Sequence, residues 1–453
     1  MPKLGQTIFG QTCLRKPKPY ICSNKSVDLM LEALFSKLIS KLSTLLTIGF
    51  CSIPSVGCAN AAGATEPPAK LNLTLPAGFE ATIFAKLDGA GVEYFKGPRM
   101  LAFDKSGNLF VSLGKSNQVI MLPDANKDGL AEAAVLISDQ LNAPNGLAFV
   151  GDDLLVANQD GVVKLIKEIK LTKKDNKWSL SPFISKLASG GHTLKTIKVG
   201  PDNHLYINVG SSCNVCMEDD ASRATILRYT IEGKPAGALE TLGRHAPSAI
   251  WARGLRNSQG FAWQAKTGAM FATNNGSDMR SNNKNGKVND EIPPEHFNKI
   301  ELGKHYGWPH CWGNTDNLKT MTQDPNFVGS DNFCQAATPP AITFDSHATP
   351  IGVTFLDKTN FPAEYKNDAI VALHGSWNRQ QLSGYKLVRV KFNQNQPVAV
   401  LDFATGWLNN SLNEADDNAW GRPVDVITGP DGALYVSDDR AGYIYRISYK
   451  NIP

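Results

Sequence analysis

Val199-Gly-Pro-Asp-Asn-His-Leu-Tyr-Ile-Asn208 returns near the end of the chain as Thr428-Gly-Pro-Asp-Gly-Ala-Leu-Tyr-Val-Ser437. In both, a polar turn is followed by an apolar run that ends in a small polar residue. Pro presets φ for the turn, Asp bonds its own backbone, and Gly or Asn accepts a positive φ. Looser copies are Phe103-Asp-Lys-Ser-Gly-Asn-Leu-Phe-Val-Ser112, Phe149-Val-Gly-Asp-Asp-Leu-Leu-Val-Ala157 and Trp263-Gln-Ala-Lys-Thr-Gly-Ala-Met-Phe-Ala272. A sixth unit, swollen by an insertion, ends in Asp368-Ala-Ile-Val-Ala-Leu373. The starts at 103, 149 and 199 stand 46 and 50 residues apart. Strand-bearing units repeating at about 45 residues are the signature of a propeller blade. The sequence therefore predicts an all-β, six-bladed β-propeller, with each apolar run buried between neighbouring blades. A two-sheet sandwich would leave the repeated turn unexplained.

Composition agrees. Of 453 residues, 42% are hydrophobic and 19% charged, which excludes a disordered chain. The 39 Gly and 26 Pro favour many turns over long helices. The body has no twenty-residue apolar span, which excludes an integral membrane span there. The net charge of +4 is concentrated at the start. Residues 1–62 carry Lys3, Arg15, Lys16, Lys18, Lys25, Lys37 and Lys41 against Asp28 and Glu32, leaving 39 basic and 40 acidic residues beyond them. A near-neutral body without a basic stripe gives no footprint for nucleic acid.

That basic start, the apolar run Leu42–Phe50 and the small-residue exit Ala59-Asn60-Ala61-Ala62 form a secretory leader over 1–62. Met30 is an alternative start, and Cys58 offers a rival lipoprotein cleavage. Residues 63–71, with Thr65-Glu-Pro-Pro68, form a linker, and 72–453 form the propeller. Export places the mature chain in the periplasm or outside the cell. Beyond the leader four cysteines remain, and an even, sparse set in an exported protein pairs as disulfides, Cys213–Cys216 and Cys311–Cys334. A zinc pair at Cys213 and Cys216 is the alternative, although no second C-x-x-C accompanies it.

Propellers carry function on the loops at one end of the channel. His192 precedes the inner strand of a blade and is placed to reach that end. Gly254-Leu-Arg256-Asn257 puts a guanidinium and an amide at the entry to the fourth blade. Asn275-Gly276-Ser277-Asp278 and Asn289-Asp290-Glu291 offer oxygen ligands suited to calcium. Asp124-Ala-Asn126-Lys-Asp128 imitates the first half of a calcium loop but has Val135 at the twelfth position, so a plain acidic turn is the simpler reading.

Taken in order, His192 with Gly200-Pro201-Asp202, Gly254–Gly260, Asp290-Glu291, His305-Tyr-Gly-Trp-Pro309, His374-Gly-Ser-Trp-Asn-Arg379 and Gly421-Arg422-Pro423 resemble the glucose/sorbosone dehydrogenase family. These are soluble sugar dehydrogenases that use pyrroloquinoline quinone (PQQ) and calcium. The resemblance covers residues 72–449, and the Ser211–Cys216 and Gly-Ser-Trp-Asn-Arg segments are closer to the sorbosone-type branch. It implies His192 as general base, with Arg256, Asn257 and Arg422 as cofactor contacts. It also implies Gly276-Ser277 at the cofactor calcium, Asp290-Glu291 at a second calcium, a sugar substrate and an external electron acceptor. Ser211 stands where the family has an acidic residue orienting the histidine, and Pro144 where the glucose enzymes have a cofactor-contacting Gln. The family's cofactor Lys has no counterpart, and Arg379 is the available cation. A non-enzymatic propeller binding carbohydrate or a cell surface is the alternative function.

Overall fold

The computed structural model describes residues 71–87, 96–168, 178–237, 248–408 and 419–450. The leader with Met30 and Cys58, and the linker up to residue 70, lie outside the described residues. The rest forms six four-stranded antiparallel sheets, the blades of a β-propeller. Blade one holds Leu101–Phe103, Leu109–Leu113, Gln118–Leu122 and Val135–Ser138, and blade two Gly146–Val150, Asp153–Asn158, Gly161–Lys167 and Trp178–Ser185. Blade three holds Ile197–Val199, His204–Val209, Thr225–Thr230 and Ile250–Arg253. Blade four holds Phe261–Trp263, Met270–Asn274, Glu295–Ile300 and Ile342–Phe344, and blade five Pro350–Phe355, Ala369–Leu373, Lys386–Asn393 and Gln396–Ala404. Blade six takes Pro423–Thr428, Leu434–Asp438 and Tyr443–Tyr449 from the end of the chain and its outer strand, Phe79–Lys86, from the start. That closure was not legible in the repeat, because the closing strand belongs to no complete unit.

Each repeated segment is the hairpin of a blade's two inner strands. Leu205-Tyr206-Ile207 and Leu434-Tyr435-Val436 are buried on both faces, because each blade is covered by its neighbours. The turns are pinned alike. Asp202 accepts from the Tyr206 hydroxyl (3.0 Å) and the Arg228 guanidinium (2.7 Å). Asp431 accepts from Tyr435 (3.3 Å) and Arg446 (2.8 Å). The insertion in the enlarged repeat belongs to blade four, between its third and fourth strands. It carries the short pair Cys311–Gly313 and Met321–Gln323 and a helical turn, Asp331–Ala336.

Around the channel, adjacent inner strands meet at backbone distance. A Cβ on Gly260 would lie 1.6 Å from the Ile351 carbonyl oxygen, so only Gly fits. Thr196 donates to the Gln259 carbonyl (2.5 Å), Thr273 to Ile351 (3.0 Å), and the Gly146 amide to Lys195 (2.8 Å). These bonds stitch one blade to the next and fix which residues stand at the channel mouth. Both expected disulfides are present, with Cα atoms 6.2 Å apart for Cys213–Cys216 and 5.9 Å for Cys311–Cys334. Glu218 lies near Cys213 and Cys216, but their sulfurs are joined to each other and are not zinc ligands.

Candidate active site

A cavity of about 170 Å³ opens at the end of the channel where the inner strands begin. His192, Arg256 and Asn257 line it, together with Gly276; Arg99, Asp278, Glu295, His347 and His374 complete its polar wall.

His192 rests against the end of blade three's second strand. A Cβ on Gly210 would meet the His192 Cβ at 2.5 Å, and one on Gly191 would meet the Ser211 carbonyl oxygen at 2.5 Å, so two glycines allow this approach. Its Nδ1 lies 2.8 Å from Ser211 Oγ and 3.2 Å from the Ser211 carbonyl oxygen. Ser211 Oγ donates its only proton to the Cys213 carbonyl at 2.7 Å. Toward His192 the hydroxyl can therefore only accept, as can the carbonyl. Nδ1 must carry the proton, and Nε2 holds the lone pair. Burial, reinforced by Arg256, lowers the imidazole pKa to about 4. The ring is neutral at physiological pH and basic at one defined atom.

Arg256 is held by the loop of the first disulfide. It donates to the Asn214 carbonyl (3.1 Å) and side-chain oxygen (2.8 Å), to Gly276 O (2.6 Å) and to Asp278 (2.9 Å). Asp278 holds Arg256 through Oδ2, while its Oδ1 accepts from Asn378 at 2.9 Å and lies 3.5 Å from His347 Nδ1. Burial works to raise the Asp278 pKa, but His347 and Arg256 hold it below the ordinary carboxylate value. Glu295 accepts from the Gly276 amide (2.5 Å), and burial pushes its pKa up to about 7. Arg99, fully buried, joins Asp439 (2.6 Å), Asn145 (3.0 Å) and Gln259 (3.2 Å). His374 donates from Nε2 to Asp439 at 2.9 Å, which leaves Nδ1 as its acceptor. Burial, with Arg422, lowers the His374 pKa to about 4.

Some buried polar atoms have no hydrogen-bond partner among the described residues. They include Asn257 Oδ1, Asn275 Oδ1 and His347 Nε2, all on residues lining the cavity. Such orphans are costly unless a ligand or water meets them.

Arg379 and Arg422 are not among the residues lining this cavity. Arg422 donates to the His374 carbonyl (3.1 Å) and to Gly375, bracing the His374 loop from behind. Arg379 binds the Asp290 carbonyl (3.3 Å), Ser346 O (3.0 Å) and the Glu291 carboxylate (2.5 Å). One predicted cofactor cation thus sits on both residues expected at the second calcium. Ser277 donates to Asn214 O at 3.3 Å. The Asp124–Asp128 turn is closed by its own side chains, with Gly129 N on Asp124 and Ala125 N on Glu132.

Arg99, Glu295, His347 and Asp439 were not singled out from sequence, and Gln259 and His374 were quoted there only within motifs, with no role given. Applying the rule that pointed to His192 to every blade would have found some of them. Arg99, Gln259 and Thr349 all stand one or two residues ahead of an inner strand.

The fold and this mouth define a six-bladed propeller with a polar cavity, lined by arginine, histidine and carboxylate side chains, at one end of its channel. Residues 75–450 match the TrAA12-like family, and the chain belongs to it. It is 29% identical over 394 residues to an uncharacterized protein of Borreliella burgdorferi, covering 84% of this chain and 92% of that protein. It is 24% identical to a pyrroloquinoline quinone-dependent pyranose dehydrogenase of Coprinopsis cinerea, covering 79% of this chain; the match spans about half (53%) of that protein. A calcium structure of a Trichoderma reesei family AA12 carbohydrate-active enzyme shares the fold, with TM-score 0.68 and 19% identity over 86% of this chain and all of that one.

Proposed function

We propose that the chain is an exported, PQQ- and calcium-dependent dehydrogenase that oxidises an aldose or a sorbosone-like sugar aldehyde, with His192 as general base. The observation that carries this reading is the neutral imidazole of fixed tautomer set in a polar cavity that Arg99 and Arg256 also line. The residues present suit the cofactor. PQQ is a planar polyanion, and Arg99 and Arg256, each already paired with an aspartate, line the cavity with positive charge that suits its carboxylates. The unpartnered amide oxygens of Asn257 and Asn275 suit a hard cation, with Gly276 and Glu295 on the same cavity and Ser277, the next residue in the chain, retained as a candidate ligand. When bound, the quinone would accept hydride from the sugar carbon, while calcium would polarise its carbonyl.

The chain's own residues do the rest. His192 Nε2 takes the proton of the sugar hydroxyl as its carbon is oxidised, and Ser211 holds Nδ1–H in place. Asp439 fixes His374, and Arg422 braces the loop that carries it. Trp377, 54% exposed and lining the cavity, offers a flat apolar face to a sugar ring. Arg379 ties this loop to Asp290 and Glu291, which we retain as the second calcium site. We assign catalysis to residues 72–453, behind a leader at 1–62 and a linker at 63–71. The two disulfides support an oxidising compartment.

Reconstitution of purified protein with PQQ and Ca²⁺, followed by dye reduction across a panel of aldoses, tests the reading. Turnover with at least one sugar is expected. If no sugar reduces the dye and calorimetry finds no PQQ binding, the carbohydrate-binding alternative takes its place.

A further inference from the structure

Residues 188–191, just ahead of His192, form a partly exposed loop in which Gly190 and Gly191 adopt φ of +81° and +61°. Such a segment would not by itself hold an imidazole to the accuracy that proton transfer requires. Lys195 has no solvent exposure, and its Nζ donates to three carbonyls. They are Gln159 in blade two (2.6 Å), Ala188 (2.7 Å) and Thr193 (3.1 Å). The last two flank His192 on either side. An ammonium has three N–H donors and no acceptor, so the match is complete. Arg223 grips the loop between them, donating to Ser189 and to Gly190 (3.2 Å).

We infer that Lys195 is a positioning residue for His192: its ammonium ties the chain on both sides of the imidazole to blade two and so sets where Nε2 stands. The inference rests on the reading of His192 as general base. Burying a lysine on backbone oxygens alone is costly, and a core that needed only packing would use an apolar residue there. Burial lowers the Lys195 pKa to about 8; Arg223 acts in the same direction and Asp160 opposes it. Above that pH the neutral amine has two N–H groups for three carbonyls, and one tie is lost.

The test uses the full chain reconstituted with PQQ and Ca²⁺. Wild-type kcat should fall above about pH 8. Lys195→Arg keeps the charge without titrating in that range, so it should keep most of the turnover and lose the alkaline limb. Lys195→Met should lower kcat about 10²-fold while KM and PQQ affinity stay near wild type. Arg223→Gln, at a surface cation, should show a smaller fall in the same direction and stands in for Lys195→Met if that variant does not fold. Wild-type kcat in folded Lys195→Met, or an unmoved alkaline limb in Lys195→Arg, would overturn the inference.

A second readout does not depend on turnover. ¹⁵N shifts of the His192 ring, assigned against His192→Gln, should report a single Nδ1–H tautomer in wild type and Lys195→Arg. A mixture is expected in Lys195→Met or Arg223→Gln, and an unchanged ring in both sinks the proposal. Absence of sugar oxidation by the wild type would end the functional reading, and the ring shifts alone would then decide the role of Lys195.

Discussion

The two ends of the propeller are built on opposite terms. At the turn end, the Asp202–Tyr206–Arg228 pin of blade three is repeated as Asp431–Tyr435–Arg446 in blade six, each carboxylate meeting a hydroxyl and a guanidinium. At the mouth no such group recurs. Arg256, Asp278 and His347 come from non-equivalent loops and Glu295 from the start of a strand, several buried polar atoms lack partners among the described residues, and His192 and Glu295 have displaced pKa values. The turn end repeats its pins from blade to blade, as a part that only has to be stable should, although Gln264 Nε2 and Thr428 Oγ1 there also lack partners among the described residues. The mouth holds unmet hydrogen-bonding capacity, which is where a ligand is recognised.

The comparison breaks most sharply at His192. Replacing it by Gln should cost about 10² to 10⁴ in kcat, with PQQ affinity and melting temperature nearly unchanged. Steady-state kinetics beside a thermal scan would check this, and a drop in stability with full turnover of the folded fraction would make His192 a packing residue. A finer probe is Ser211→Asp. The wild-type rising limb should lie near pH 4, because the base must be neutral to act. A carboxylate at Nδ1 favours the imidazolium and raises its pKa, so the rising limb should move to higher pH, by about one unit for 1.4 kcal/mol of added attraction. An unmoved limb would mean that the two residues are not partners. The smallest effect belongs to the turn end. Asp431→Ala should lower stability by about 1 kcal/mol in denaturant titration and leave kcat unchanged, since the pin is partly exposed and far from the chemistry.

Legibility in the sequence follows the same division. The blades could be read because burial on both faces imposes one apolar pattern six times, and the turn chemistry marks each hairpin. Of the mouth, His192, Arg256 and Asn257 were found through motif order, and the structure brings all three to one cavity. Arg422 and Arg379 were found as cations, but their geometry puts them behind the cavity wall and across a neighbouring turn. Sequence could not distinguish these roles, since an arginine that clamps a ligand and one that braces a carbonyl look alike in one dimension. Glu295 was missed because its character comes from burial beside residues of other segments. The tautomer of His192 depends on a proton that Ser211 sends to Cys213, a relation with no sequence signature.

The seam in blade six, where Phe79–Lys86 pairs with Tyr443–Tyr449, makes folding a matter of synthesis order. The strand made first must wait, unpaired, for the strand made last, with more than 350 residues between Thr82 and its partner Arg446. Until then the nascent ring has two open edges, each a template for pairing with another chain. The closing contact also spans the longest loop in the molecule, so its entropy is recovered only at the last step. A chain cut short by a single terminal strand would therefore lose the latch of the whole circle and present both edges at once.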